Sequence, residues 1–239
     1  MFKRGLTPSQ QLVNAAIARD LEALNAQLVA GADPNACDRA GFPAVAIAAS
    51  RGWAEGVAAL VRAGADPSQH VQRSEPQAFS GPLLHLPSAN GSLETARVLL
   101  DAGAAVDATD PTGLTALMCA AFQGHEPIIR LLIDAGASLE TRDQEGYTAL
   151  MFAANAGRAS AVRTLLEVGA DPHARAKDDS TPLMFAAQHA HNDVVVMLLD
   201  AGADASVVGR HGLSAIGFAR QNRHERTLSL LLAAGGAGS

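Results

Sequence analysis

The chain has 239 residues and a formal net charge of −6, a balance that disfavours nucleic acid, whose recognition needs a basic face to neutralise phosphates. Hydrophobic residues make up 48% and aromatic residues only 4%, so the expected core is one of Ala, Leu and Val, as in helices packed closely through small side chains. The two cysteines, Cys37 and Cys119, stand at unrelated positions and speak against a disulfide framework or a zinc site.

The first ten residues carry Lys3 and Arg4 but run into Gln10-Gln11-Leu12-Val13-Asn14 rather than an apolar stretch, so no secretory leader is expected. No run reaches transmembrane length without charges, and a cytoplasmic protein that does not engage a membrane is the expectation. An Ala-Gly-Ala-like tripeptide then recurs, with glycines at Gly31, Gly64, Gly103, Gly136, Gly169, Gly202 and Gly235. Five of the six spacings are 33 residues, and that from Gly64 to Gly103 is 39. A fixed period of this size means one supersecondary unit copied end to end, each copy too small to bury its own apolar face. The copies fall at about residues 8–40, 41–73, 80–112, 113–145, 146–178, 179–211 and 212–236, and they predict a single all-α solenoid domain.

The first copy has Arg19-Asp20 at its inter-helix turn, and the last carries a polar stretch from Arg220 to Arg226; polar outer faces are expected to cap the stack. Both ends look complete, since residues 234–239 are a Gly-rich tail without a further copy. The long spacing places six extra residues within 68–80, in the loop between the second and third copies. Neutral drift and partner contact both account for such an insertion. Pro87, inside the first helix of the third copy, predicts that this helix is distorted or shortened.

The fourth copy shows the unit most clearly. Thr115 is placed to cap a short helix over Ala116 to Phe122, which Gly124 ends. A second helix follows, with Pro127 in its first turn and Ile128, Ile129, Leu131, Leu132 and Ile133 as its apolar face, stopped by Gly136. A hairpin-like loop then leads to the next copy, where Asp143 and Gly146 suit turn geometry. Met118, Met151 and Met184 recur at one position; a metal-binding thioether set is conceivable, and core filling is the better reading.

Thr181-Pro182-Leu183-Met184 resembles the Thr-Pro-Leu-His opening of the ankyrin repeat, and Gly31-Ala32-Asp33-Pro34-Asn35 and Gly169-Ala170-Asp171-Pro172 resemble its closing loop. The resemblance extends from about Gln10 to Gly235. It implies helix pairs with projecting hairpin loops, in which the motif histidine ties the helix start to the loop; only His85 keeps that histidine.

The resemblance further implies a binding module that docks a protein on the concave side made by loop tips and first-helix edges. Carried over copy by copy, the partner-binding candidates are Phe42, Phe79, Pro111, Leu114, Phe122, Gln123, Gln144, Glu145, Tyr147, Asn155, Lys177, Gln188 and His189. Phe79, Phe122 and Tyr147, with Leu114, are expected to cluster as an exposed hot spot. Trp53 is expected to pack at the inter-helix turn, away from this face. The pair His189 and His191 is weak as a metal site, Asp178-Asp179 is weak as a catalytic pair, and no phosphate-binding glycine loop or nucleophile elbow is visible. The reading is therefore a monomeric, non-enzymatic protein-binding module without cofactor, partner unspecified. The alternative is an inhibitor or immunity-type protein that occludes a partner enzyme.

Overall fold

The computed structural model describes residues 6–72 and 80–235. Its contacts group the chain into two compact units, Met1–Pro111 and Thr112–Ser239. The described part of the first contains α1 (Pro8–Ala18), α2 (Leu21–Val29), α3 (Ala44–Ser50), α4 (Ala54–Arg62), β1 (His70–Gln72), β2 (Ser80–Pro82), α5 (His85–Asn90) and α6 (Leu93–Asp101). The second contains α7 (Ala116–Gln123), α8 (Glu126–Asp134), α9 (Ala149–Asn155), α10 (Ala159–Glu167), α11 (Pro182–Gln188), α12 (Asn192–Asp200), α13 (Ala215–Gln221) and α14 (Glu225–Gly235). This is the all-α repeat architecture that the 33-residue period predicts.

In the second unit the first helix of each copy packs on the first helix of the next, α7 on α9, α9 on α11 and α11 on α13, while α8, α10, α12 and α14 form a parallel row. The alanine pairs allow this close stacking: Ala120, Ala121, Ala153, Ala154, Ala186 and Ala187 are wholly buried. The second helices supply the branched residues, with Ile128, Ile129, Val162, Leu165, Val194, Val195 and Leu198 inside. Met118, Met151 and Met184 are buried too, each burial contributing about 1.5–3 kcal/mol, and Met151 packs on Ala174 and Ala176 of the following loop. A thioether thus fills the space that a motif histidine would bridge.

Helix starts follow the sequence closely. The Thr115 and Thr181 hydroxyls accept from the backbone N–H groups of Met118 and Met184. Thr148 stands at the equivalent position without that bond, and its buried Oγ1 has no partner among the described residues. At the first copy, Thr7 and Gln10 form a reciprocal capping box, and Asp20 caps α2 by accepting from the Ala23 N–H.

The hairpin tips of the second unit lie side by side. The Gln144 N–H donates to the Thr112 carbonyl, Lys177 N–H to Glu145 and Arg210 N–H to Asp178, each at 2.9 Å. Within each turn an aspartate fixes the chain: Asp143 Oδ1 accepts from the N–H groups of Glu145 and Tyr147, and Asp178 Oδ1 from that of Ser180. The approach is close enough that a Cβ on Gly146 would stand 2.9 Å from the Lys177 nitrogen, and Gly146 has φ +85°, so no other residue suits this turn.

In the first unit the insertion widens the loop into an antiparallel strand pair, β1 with β2, in register His70 with Pro82, Val71 with Gly81 and Gln72 with Ser80. The tip of the insertion, including Phe79, lies outside the described residues. The helix after it, α5, has six residues and is the shortest of the described helices. Pro87 is its third residue, where the missing N–H would have had no partner within the helix. His85 is buried, its Nε2 3.1 Å from the Ala108 carbonyl, so the ring carries its proton there and ties α5 to the next loop. Trp53 is buried against the backbone of Gly56 one turn on, where a Cβ would meet the indole at 2.1 Å.

The terminal copies are less polar than the sequence reading expects. Ile17, Leu21 and Val29 are exposed in the first and Leu232 in the last.

Candidate functional site

Three columns of side chains meet on the hairpin and first-helix face of the second unit. Residues directly after the left-handed turn position, which is Gly113, Gly146, Asp179 and Gly212, form one: Leu114, Tyr147, Ser180 and Leu213. The middle of each first helix gives the second, Cys119, Phe152, Phe185 and Phe218, and its last turn gives the third, Phe122, Asn155, Gln188 and Gln221. The second and third columns stand three residues apart on one helix, hence on one face.

Aromatic rings join across these columns. Phe122 meets Phe152 edge to face at 6.4 Å between centroids, Phe152 meets Tyr147 at 6.0 Å, and Tyr147 meets Phe185 at 5.2 Å, with interplanar angles of 81–84°. Such T-shaped pairs contribute about 0.5–1.5 kcal/mol each beyond the area they bury. The row spans three copies, and its outermost ring, Phe122, keeps 41% of its surface in solvent. Tyr147, Met151, Phe152, Asn155 and Phe185 line a small open pocket of about 50 Å³.

The sequence-derived candidates divide on this map. Phe122 and Tyr147 belong to one row, but through Phe152 rather than by direct stacking. Asn155 lines the pocket beside them. Gln123, Gln144, Glu145, Lys177 and His189 are exposed, while Leu114 and Gln188 are half-buried. Pro111 is exposed at the end of the first unit. Phe42 is a correction: it is only 8% exposed, and its ring belongs to the core rather than to a docking surface. Phe79 lies outside the described residues. Sequence reasoning passed over Phe152 and Phe185, and the signal for them was their 33-residue recurrence, continued at Phe218.

Electrostatics distinguish the Tyr147 corner. Burial, and then the carboxylates of Asp178, Asp143 and Glu145, hold its phenol above the ordinary value. Glu145 and Asp178 make no ion pair among the described residues. Nearby, Asp179 bridges Arg175 and Arg210, both at 3.4 Å, and the Arg142 guanidinium donates to the carbonyls of Gly146 and Arg175. His189 and His191 stand 5.9 Å apart; His191 Nε2 bonds to the Asn155 carbonyl, and burial followed by the nearby His191 and His224 lowers the His189 pKa.

A larger groove, about 680 Å³, lies in the first unit between α1 and the first hairpin, lined by Leu6, Val13, Ile17 and Cys37 among others. Among the described residues no three His, Cys, Asp or Glu side chains are grouped to hold a metal ion, and no helix is long and apolar enough to cross a membrane.

Two family models match the sequence. One, described as ankyrin repeats (3 copies), covers residues 12–110 and 84–176, and the other, ankyrin repeats (many copies), covers residues 169–219. No curated protein matches the chain. Together the family matches run from residue 12 to residue 219, through helix pairs and hairpins of the kind described above, and the chain belongs to the ankyrin repeat family.

Proposed function

We propose that the chain is a non-enzymatic module that binds a protein partner on the hairpin and first-helix face of its second unit. Ankyrin repeats are generally protein–protein interaction modules, typically without catalytic activity. The observation that carries the present assignment is the aromatic row Phe122, Phe152, Tyr147 and Phe185, in a chain with one tyrosine and one tryptophan. Buried alanines could have made the same repeat contacts without rings at the surface. Aromatic side chains at a surface supply large contact area at low entropic cost and are the commonest anchors of interfaces. The face is held in place before binding by the tip-to-tip hydrogen bonds and the aspartate-fixed turns, so little ordering cost falls on association.

The test compares proteins retained from lysate by wild type, by Phe122→Ala/Tyr147→Ala, and by Arg163→Ala, an exposed site on α10. The affinity of the retained partner is then measured directly. The double variant should bind at least tenfold more weakly and the Arg163 variant as wild type. Because both rings edge onto Phe152, the double variant should also melt several degrees lower while keeping its helical content at 20 °C. Equal affinity of the folded double variant and wild type would remove this face from the function.

A further inference from the structure

The pocket at the centre of the row has a chemistry more specific than apolarity. Tyr147, Phe152 and Phe185 line it together with Met151 and Asn155. Tyr147 and Phe185 stand at 84° to one another, a corner that offers both a ring face and a ring edge to anything placed in it. The hairpins beside this corner bring Asp143, Glu145 and Asp178 within electrostatic reach of the Tyr147 phenol. Asp143 is fixed there by accepting from the Tyr147 N–H at 2.8 Å, and Asp178 by accepting from the Ser180 N–H and hydroxyl. Of the local cations, Arg142 is engaged with two carbonyls and Arg175 with Asp179; Lys177 is exposed at its tip and forms no ion pair among the described residues. Ring faces attract cations through their quadrupole, and carboxylates reinforce that preference and repel acidic groups. At about 50 Å³ and open to solvent, the space takes a stretch of a linear side chain, the remainder lying outside it, but not an indole.

We propose that the pocket between Tyr147, Phe152 and Phe185 receives a lysine or arginine side chain of the partner protein, its alkyl stem against the rings and Met151 and its cationic head toward the hairpin carboxylates. The inference rests on the binding face proposed above and names the kind of residue that face selects.

The chain has a single tyrosine, so ¹³C-tyrosine labelling yields one ring reporter, Tyr147 itself. The full chain is titrated with propylguanidinium and butylammonium, which reproduce the two side chains, and with propylurea, the neutral isostere of the first. The cations should shift the Tyr147 ring signals saturably, with propylurea binding about three- to fivefold more weakly than propylguanidinium. Glu145→Gln/Asp178→Asn should erase that difference by weakening the cations alone. Phe185→Leu, which keeps apolar bulk, should weaken the cations as well. Propylurea binding as tightly as propylguanidinium, or absence of a Tyr147 shift with either cation in the folded chain, overturns the proposal. If the Phe122/Tyr147 variant nonetheless loses the partner, the binding face stands and only the cationic occupant falls. If that variant keeps the partner at wild-type affinity, both fall.

Discussion

The turn between α9 and α10 provides a substitution pair whose effects should have opposite signs. Gly157 occupies it with φ +65°, and a Cβ there would stand 2.4 Å from Nδ1 of His191, the ring whose Nε2 bonds to the Asn155 carbonyl. Gly157→Ala forces a left-handed alanine, costing about 1–2 kcal/mol, and displaces the ring, losing a hydrogen bond of about 1 kcal/mol. The stiffer unfolded chain returns about 0.4–1 kcal/mol. The net expectation is a loss of about 2 kcal/mol. One copy later the equivalent turn residue is Ala190, which already holds φ +57°. Ala190→Gly relieves the same left-handed cost against the same entropic return, for a gain of about 0.5–1 kcal/mol. Guanidinium titration followed by helical circular dichroism, with the slope of the transition compared among variants, measures both. A Gly157→Ala variant within 0.5 kcal/mol of wild type, or an Ala190→Gly variant less stable than wild type, would refute the argument; the half-unit threshold is about the size of an ordinary surface substitution.

Thr148→Val should be neutral or stabilising by up to about 1 kcal/mol, because it removes a buried hydroxyl without a partner, whereas Thr181→Val should cost about 1 kcal/mol by deleting the cap on Met184; denaturation midpoints of the two variants decide. His85 is held below its ordinary value of 6.5 chiefly by burial, so the unfolded chain binds the proton more readily. Its contribution is therefore fully present above pH 6.5 and is lost as pH falls toward the lower folded value. His85→Asn should flatten the decline of stability between pH 7 and pH 5, as read from midpoints across that range. The Cys37 thiol is raised by burial and then by Asp38 and Asp33, so alkylation by iodoacetamide at pH 7.5 should run several-fold slower than for a free cysteine peptide and gain speed as pH rises.

The repeat was legible because each of its steric requirements leaves a distinct residue: a threonine where an N–H needs capping, a glycine where φ is positive, an alanine pair where helices touch. Among the described residues four turns meet the same backbone requirement without glycine, at Arg19, Asp179, Ala190 and Arg223, so no residue pattern marks them. The candidate site was legible in part. Phe122 and Tyr147 stood out as departures from the repeat, whereas Phe152 and Phe185 were concealed by belonging to it, inside helices that read as uniform packing segments. Phe42 misled for the opposite reason. It occupies the column of Tyr147, and Asp38 holds its turn by the same bond that Asp143 makes to the Tyr147 N–H, but next to it Pro43 pairs with Cys37 in an isolated bridge, and the ring is buried in the core. Position along the period specifies the backbone, while depth depends on the neighbouring loop.

The side chains that stitch one copy to the next reach only a short way along the chain: Arg158 to the Phe122 carbonyl, His191 to Asn155, Asn222 to Gln188, and Asn90 to Ala49 and Ser50, separations of 34 to 41 residues. Within each unit these bonds run to the copy made just before. During synthesis, at about 5–20 residues per second, a new copy leaves the ribosome every few seconds onto a neighbour already available to receive it. The stacked core of each unit can grow in the order of translation, with little time for a bare apolar helix face to meet another chain.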